Sequence, residues 1–216
     1  MIMPDARGHG NSASPPVGYR YEDLASDVVG LAMAMKLTSP FLLGHSMGGL
    51  TAAVVASRKP NLLRGLILSD PTFLSPDFQR EVFESDAVEQ HLRMLTMSLD
   101  EIVKEARARH PDRLLELLGL IARARLQTNT KAFNILTPPN PDYMDLIRAI
   151  DVRTLLVTGD AGVVSSAVAG ELKRINSRLQ VEQISKAGHG IHYDQPDKFA
   201  AVVKSFLSSV PIVNES

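Results

Sequence analysis

The segment from Phe41 to Leu50, Phe-Leu-Leu-Gly-His-Ser-Met-Gly-Gly-Leu, constrains the fold of this chain more than any other. A short apolar run leads into a serine with a glycine two residues away on either side, then continues into the Ala- and Val-rich stretch Met47 to Arg58. A strand that turns this sharply into a helix strains the backbone at the bend, and bulky side chains two positions away would collide. Gly44 and Gly48 stand at those positions around Ser46. The turn lifts the hydroxyl above the carboxyl ends of the strands, where open parallel sheets place their ligands. It also aims the first amides of the helix, that of Met47 foremost, at the same space. A glycine-rich turn without chemistry has the same spacing, but the placement between a buried strand and a small-residue helix favours a nucleophile. A phosphate-cradling loop would need a Gly-Lys-Ser/Thr ending, which is missing.

The surrounding pattern alternates strand and helix. Met1 to Pro4 reads as a strand, Asp5 to Pro16 as a polar loop, and Leu24, Val28, Leu31 and Met35 recur at helical spacing. Pro40 to Gly44 is a strand, Met47 to Arg58 a helix, and Gly65 to Ser69 a strand closed by Asp70-Pro71. This βαβ rhythm implies a parallel sheet. Phe73 to Ile150 carries helical patterns and no convincing strand, with Ser98 and Glu101 spaced as a capping box and Pro138, Pro139 and Pro141 interrupting. Alternation resumes at Thr154, with strands Thr154 to Gly159 and Gln180 to Ser185, a helix Ser165 to Ile175, a loop Lys186 to Asp197 and a closing helix through Leu207. The expected organisation is an α/β core over 1–71 and 151–216, with a helical cap insertion over 72–150.

Composition narrows the partners. Among 216 residues, 23 Lys and Arg stand against 24 Asp and Glu, so the net charge of -1 offers no general attraction for nucleic acid or an anionic membrane. The expected partner is a small hydrophobic, ester-like molecule, with oligomeric state left open. Cysteine is absent, no run of apolar residues is long enough to cross a membrane, and no His/Asp cluster has metal-ligand spacing. The expectation is a soluble, cytoplasmic protein that needs no metal or cofactor.

A serine nucleophile needs a base. Of six histidines, only His189 lies in a glycine-flanked loop between the last strand and the last helix. Three segments, "DARGHGNSASP" from Asp5, "GHSMGG" from Gly44 and "AGHGIHYDQPDKF" from Ala187, resemble the α/β-hydrolase superfamily in order and interval. The resemblance covers essentially the whole chain. It implies the α/β-hydrolase fold, a mostly parallel sheet with flanking helices and a helical cap, and makes His189 the base. In many relatives the acid follows the strand as Gly-x-x-Asp, but Gly159-Asp160-Ala161-Gly162 puts glycine there. Asp160 is therefore the first candidate, displaced by two places, and Asp70 the alternative. Met47 N–H is the expected oxyanion donor.

The family's second donor, from a loop after an earlier strand, is missing from this sequence together with the first strands. That leaves a gap between the strand ending at Asp5 and the one ending at Ser46. Either the first strand shifts across to close it, or the chain is part of a longer protein. The expected activity is hydrolysis of a carboxylic ester or related acyl substrate through an acyl-enzyme on Ser46, His189 and an aspartate. Lactone and carbon–carbon bond hydrolysis use the same residues, and a catalytically impaired binding protein is the alternative from another class. Phe73, Met94, Met97 and Phe133 are candidates for the substrate pocket, with core packing as the competing role for each.

Overall fold

Four parallel strands organise the larger of two compact units. The computed structural model describes residues 1–211. One unit comprises Met1–Leu24 and Ser75–Asn140, the other Ala25–Leu74 and Pro141–Ser216. In chain order the elements are α1 (Tyr21–Ala34), β1 (Phe41–His45), α2 (Met47–Arg58), β2 (Gly65–Ser69), α3 (Pro76–Phe83), α4 (Ala87–Leu95), α5 (Leu99–Arg109) and α6 (Leu115–Leu126). A 3₁₀ helix (Thr130–Leu136) follows, then α7 (Tyr143–Ala149), β3 (Thr154–Ala161), α8 (Ser166–Ile175), β4 (Leu179–Gly188), α9 (Ile191–Asp194) and α10 (Pro196–Ser209).

The sheet runs β1-β2-β3-β4, with every neighbouring pair parallel. β2 is buried along its whole length, as expected of a central strand covered on both faces. Ile67, Leu155, Val157 and Ile184 cluster with Ile191, Phe206 and Val210 from the C-terminal helices. Because successive strand residues point to opposite faces, Leu66, Leu68 and Leu156 turn the other way, and all three are fully buried. On β1 and β2 packs α2, whose residues Gly49 to Ala56 are buried without exception. In turn α7 packs on α2, and the Asn176 amide that ends α8 donates to the Ile147 and Ile150 carbonyls at 2.7 and 2.9 Å. Pro141 to Ile150, expected in the insertion, therefore clusters with the sheet.

The other unit is helical. Ser75 caps α3 and the expected box of Ser98 with Glu101 caps α5, both side chains bonding reciprocally. The polar N-terminal loop clusters with these helices, through Gly10 N–H to the Gln127 carbonyl (3.0 Å) and Asn129 N–H to that of Gly8 (2.7 Å). Arg20 adds bonds to the Thr137 and Pro139 carbonyls.

Two expectations about the strands change, and one of two alternatives is not realised. Met1 to Pro4 is not a strand, and Met1, Ile2 and Met3 are exposed. An apolar run becomes a strand only when a neighbour supplies ladder hydrogen bonds. The first strand has not moved across to β1, which is an edge of the sheet with Leu43 45% exposed at its middle. β4 continues past Ser185 to Gly188, and the expected loop after it contains the short helix α9.

Candidate active site

Parallel register sets the site. Opposite Ser69 in the ladder stands His45, so the residues that follow, Ser46 and Asp70, leave neighbouring strands side by side. Ser46 N–H donates to the Ser69 carbonyl at 3.1 Å, and Thr72 N–H returns to the Ser46 carbonyl at 3.2 Å. Both residues sit in left-handed backbone, Ser46 at φ 55° and Asp70 at φ 39°. Such conformations persist only where their surroundings over-determine them, and they cluster at functional sites.

At the elbow only one of the two glycines expected to be tight is so. A Cβ on Gly44 would overlap the Gly48 carbonyl, as expected, but a Cβ on Gly48 would meet nothing within 4 Å. The tight position is Gly49, where a Cβ would lie 2.8 Å from Pro71 Cβ and 3.2 Å from the Gly44 carbonyl oxygen. Close packing of α2 against the turn after β2 is what demands glycine there.

His189 follows β4 and meets both residues. Its Nε2 lies 2.8 Å from Ser46 Oγ and its Nδ1 2.6 Å from Asp70 Oδ2. An ionised carboxylate only accepts, so Nδ1 carries the proton and Nε2 is free to accept from the serine hydroxyl. Asp70 is fully buried, and its carboxylate also receives Val163 N–H at 2.8 Å and Val164 N–H at 3.0 Å. These donors satisfy a polar group that has no access to water.

Asp160 does not occupy the expected place beside His189. It is exposed, and its two oxygens accept the backbone N–H groups of Lys186 and Ala187 at 2.9 and 3.0 Å. These bonds hold its carboxyl below the usual carboxylate range. They brace an irregular stretch of the β3–β4 ladder, where Lys186 has φ 59°. The structure thus brings Asp70 to His189, and the reason is topological. β2 delivers Asp70 beside the serine, whereas the β3 turn is spent on pairing with β4.

The profile of the Alpha/beta hydrolase family matches residues 1–202. The chain belongs to that family. Mouse "sn-1-specific diacylglycerol lipase ABHD11" is 29% identical over 225 residues, covering 96% of this chain and 71% of the relative. The crystal structure of E-2-(acetamidomethylene)succinate hydrolase superposes with a TM-score of 0.79 at 22% identity, covering 95% of this α/β hydrolase and 80% of that chain. A thermophilic esterase from Thermogutta terrifontis gives a TM-score of 0.75 at 26% identity, covering 96% and 79%. These relatives are hydrolases, which supports a hydrolase role for this chain.

Two further histidines, His45 and His192, lie in the neighbourhood of His189, and neither is among the site residues expected from the sequence. The His45 Nε2–H donates to the His189 main-chain carbonyl at 2.8 Å. Its ring lies 4.7 Å from those of both His189 and His192, and His192 in turn leans on Phe199 of α10 at 6.0 Å. The adjacency of His45 to the serine was legible, but its hydrogen bond spans 144 residues and left no local signal.

Burial holds the pKa of His45 below the ordinary imidazole value of 6.5, and the His189 ring acts in the same direction. The bond to the His189 carbonyl and the charge of Asp70 oppose that shift. Since the unfolded chain binds this proton more readily than the folded one, His45 contributes stability above pH 6.5 that is lost as pH falls toward its folded pKa. The groups facing it are His189, Asp70 and His192. Urea unfolding at a series of pH values is expected to show a steeper loss of stability below pH 6.5 in wild type than in His45→Phe. Parallel curves would remove His45 from that acid sensitivity.

Of the four pocket candidates, Phe73 is buried and stacks on Tyr143 at 5.0 Å with the planes 7° apart. Phe133 lies against buried His91 at 4.9 Å, and Met94 and Met97 are half-buried, all in the helical unit. Among the described residues no group of three His, Cys, Asp or Glu side chains is arranged to hold a metal ion, and no helix is long and apolar enough to cross a membrane.

Proposed function

We propose that this chain hydrolyses a carboxylic ester or a related acyl substrate through an acyl-enzyme on Ser46. The observation that carries the reading is the unbroken hydrogen-bond chain from Ser46 Oγ through His189 to Asp70, at 2.8 and 2.6 Å. In the forward step Ser46 Oγ bonds to the carbonyl carbon while His189 Nε2 takes its proton. Asp70 keeps the proton on Nδ1 and stabilises the imidazolium. His189 then returns the proton to the departing alcohol as the carbon–oxygen bond breaks. Water, deprotonated by the same nitrogen, releases the acid and restores the serine. Met47 is the first residue of α2, so its N–H has no acceptor within the helix and donates to the developing oxyanion.

Ester hydrolysis is the first choice because a lipase and an esterase are among the named relatives. The substrate is a small molecule with a hydrophobic acyl or alcohol group. Treatment of the chain with a fluorophosphonate, followed by intact-mass analysis, tests the reading. One adduct in wild type that is absent in Ser46→Ala supports it. A folded wild-type sample without an adduct would instead identify a hydrolase scaffold that binds a ligand or partner without turnover.

A further inference from the structure

We infer that His45 is a positioning residue for the base, its Nε2–H holding the main-chain carbonyl of His189 so that elbow and base loop are pinned by residues adjacent to the reacting pair. The inference rests on the reading of Ser46, His189 and Asp70 given above.

The loop that carries His189 is tied down in stages. Asp160 accepts the N–H groups of Lys186 and Ala187, and Gly188 N–H donates to Asp194 Oδ2 of α9 at 3.0 Å. These ties fix the main chain as far as the residue before the base. On the carbonyl of His189 itself the bond comes from His45, at 2.8 Å. The donor is stationed by β1, since His45 is the last residue of that strand and pairs with Ser69 of β2. From behind, the His45 ring is backed by His192, which α10 supports through Phe199.

The consequence is geometric. Movement of the His189 main chain away from the elbow breaks the bond to His45 as it lengthens the 2.8 Å approach of Nε2 to Ser46 Oγ. The donor also has to be uncharged, because a cation in contact with the His189 ring would oppose the positive charge that the base acquires in the transition state. An imidazole whose pKa is lowered by burial meets that requirement, whereas Lys or Arg would not.

The test uses the full chain and separates the hydrogen bond from the ring. His45→Phe keeps a ring beside His189 and His192 but cannot donate, while His45→Gln donates without a ring. Circular dichroism first establishes that each variant is folded. The readouts are the rate of fluorophosphonate adduct formation, and kcat and KM on p-nitrophenyl butyrate. Displacement of a reacting group by about 1 Å costs about 10²-fold in rate. His45→Phe is expected to lose about that much in kcat and in adduct rate at unchanged KM, and His45→Gln to recover most of it. If His45→Phe does not fold, a folded His45→Gln decides: near-wild-type rates support the inference and a hundredfold loss overturns it. Wild-type rates in His45→Phe overturn it, as do equal losses in two folded variants. A wild type without a Ser46-dependent adduct removes the underlying reading, and a labelled wild type with an unaffected His45→Phe removes this inference alone.

Discussion

Asp70→Asn is expected to lower kcat on the order of 10⁴-fold, the loss that follows when a triad aspartate is replaced by its amide. The substitution suits the backbone, since Asn tolerates the left-handed conformation that Asp70 adopts at φ 39°. The cost lies in the hydrogen bonds. Three donors converge on this buried carboxylate, with His189 Nδ1–H and Val163 N–H on Oδ2 and Val164 N–H on Oδ1. An amide offers one accepting end. If its NH₂ faces His189, the imidazole turns to the tautomer with the proton on Nε2 and can no longer accept from Ser46. If its NH₂ faces Val164, two donors confront each other in a buried site and the negative charge that stabilises the imidazolium is gone. Both orientations impair His189 in its proposed role as base. Asp160→Asn supplies the contrast, because its exposed carboxylate bonds only to the backbone ahead of the base, and its kcat is expected within about threefold of wild type, the scale of ordinary surface substitutions. Comparing the two variants on one ester checks the assignment, and the reverse ranking would return the acid to Asp160.

That choice between aspartates shows where the sequence stops being legible. β1, α2 and β2 read correctly because their signals are local, an apolar run, a glycine-bounded turn and a small-residue helix. The capping box of Ser98 and Glu101 is likewise contained in four residues. Asp70 follows β2 directly and Asp160 stands next to the last residue of β3, and nothing local says which reaches His189. The answer depends on register, His45 against Ser69, and on the β3–α8 turn presenting the amides of Val163 and Val164. The extension of β4 was hidden for a similar reason. Lys186 at positive φ breaks the regular pattern, and Asp160, 26 residues earlier, accepts its N–H and holds the strand there. Met1 to Pro4 misled in the opposite direction, because a strand-like sequence without a neighbour remains a coil.

Gly162→Ala is expected to lower kcat about 10²-fold through a residue that takes no part in the reaction. A Cβ at this position would lie 2.7 Å from Asp70 Oδ1, 2.8 Å from Oδ2 and 2.9 Å from Cγ. A flexible side chain would swing clear, but the Asp70 carboxylate is fully buried and held by three donors. The clash is therefore relieved by displacing the carboxylate or the β3–α8 turn, and either movement disturbs the 2.6 Å bond that orients His189. Overpacking of this kind also costs about 1–3 kcal/mol of stability, so unfolding is measured alongside kcat. Gly170→Ala provides the control. A Cβ there meets nothing within 4 Å in the exposed interior of α8, and the change is expected to stabilise by about 0.5–1 kcal/mol at unchanged activity. The decisive comparison is the double variant. If Gly162 acts through the Asp70 carboxylate, adding Gly162→Ala to Asp70→Asn costs far less than 10²-fold, because the group it displaces has already lost its function. Full additivity of the two losses would show that Gly162 supports the site by another route.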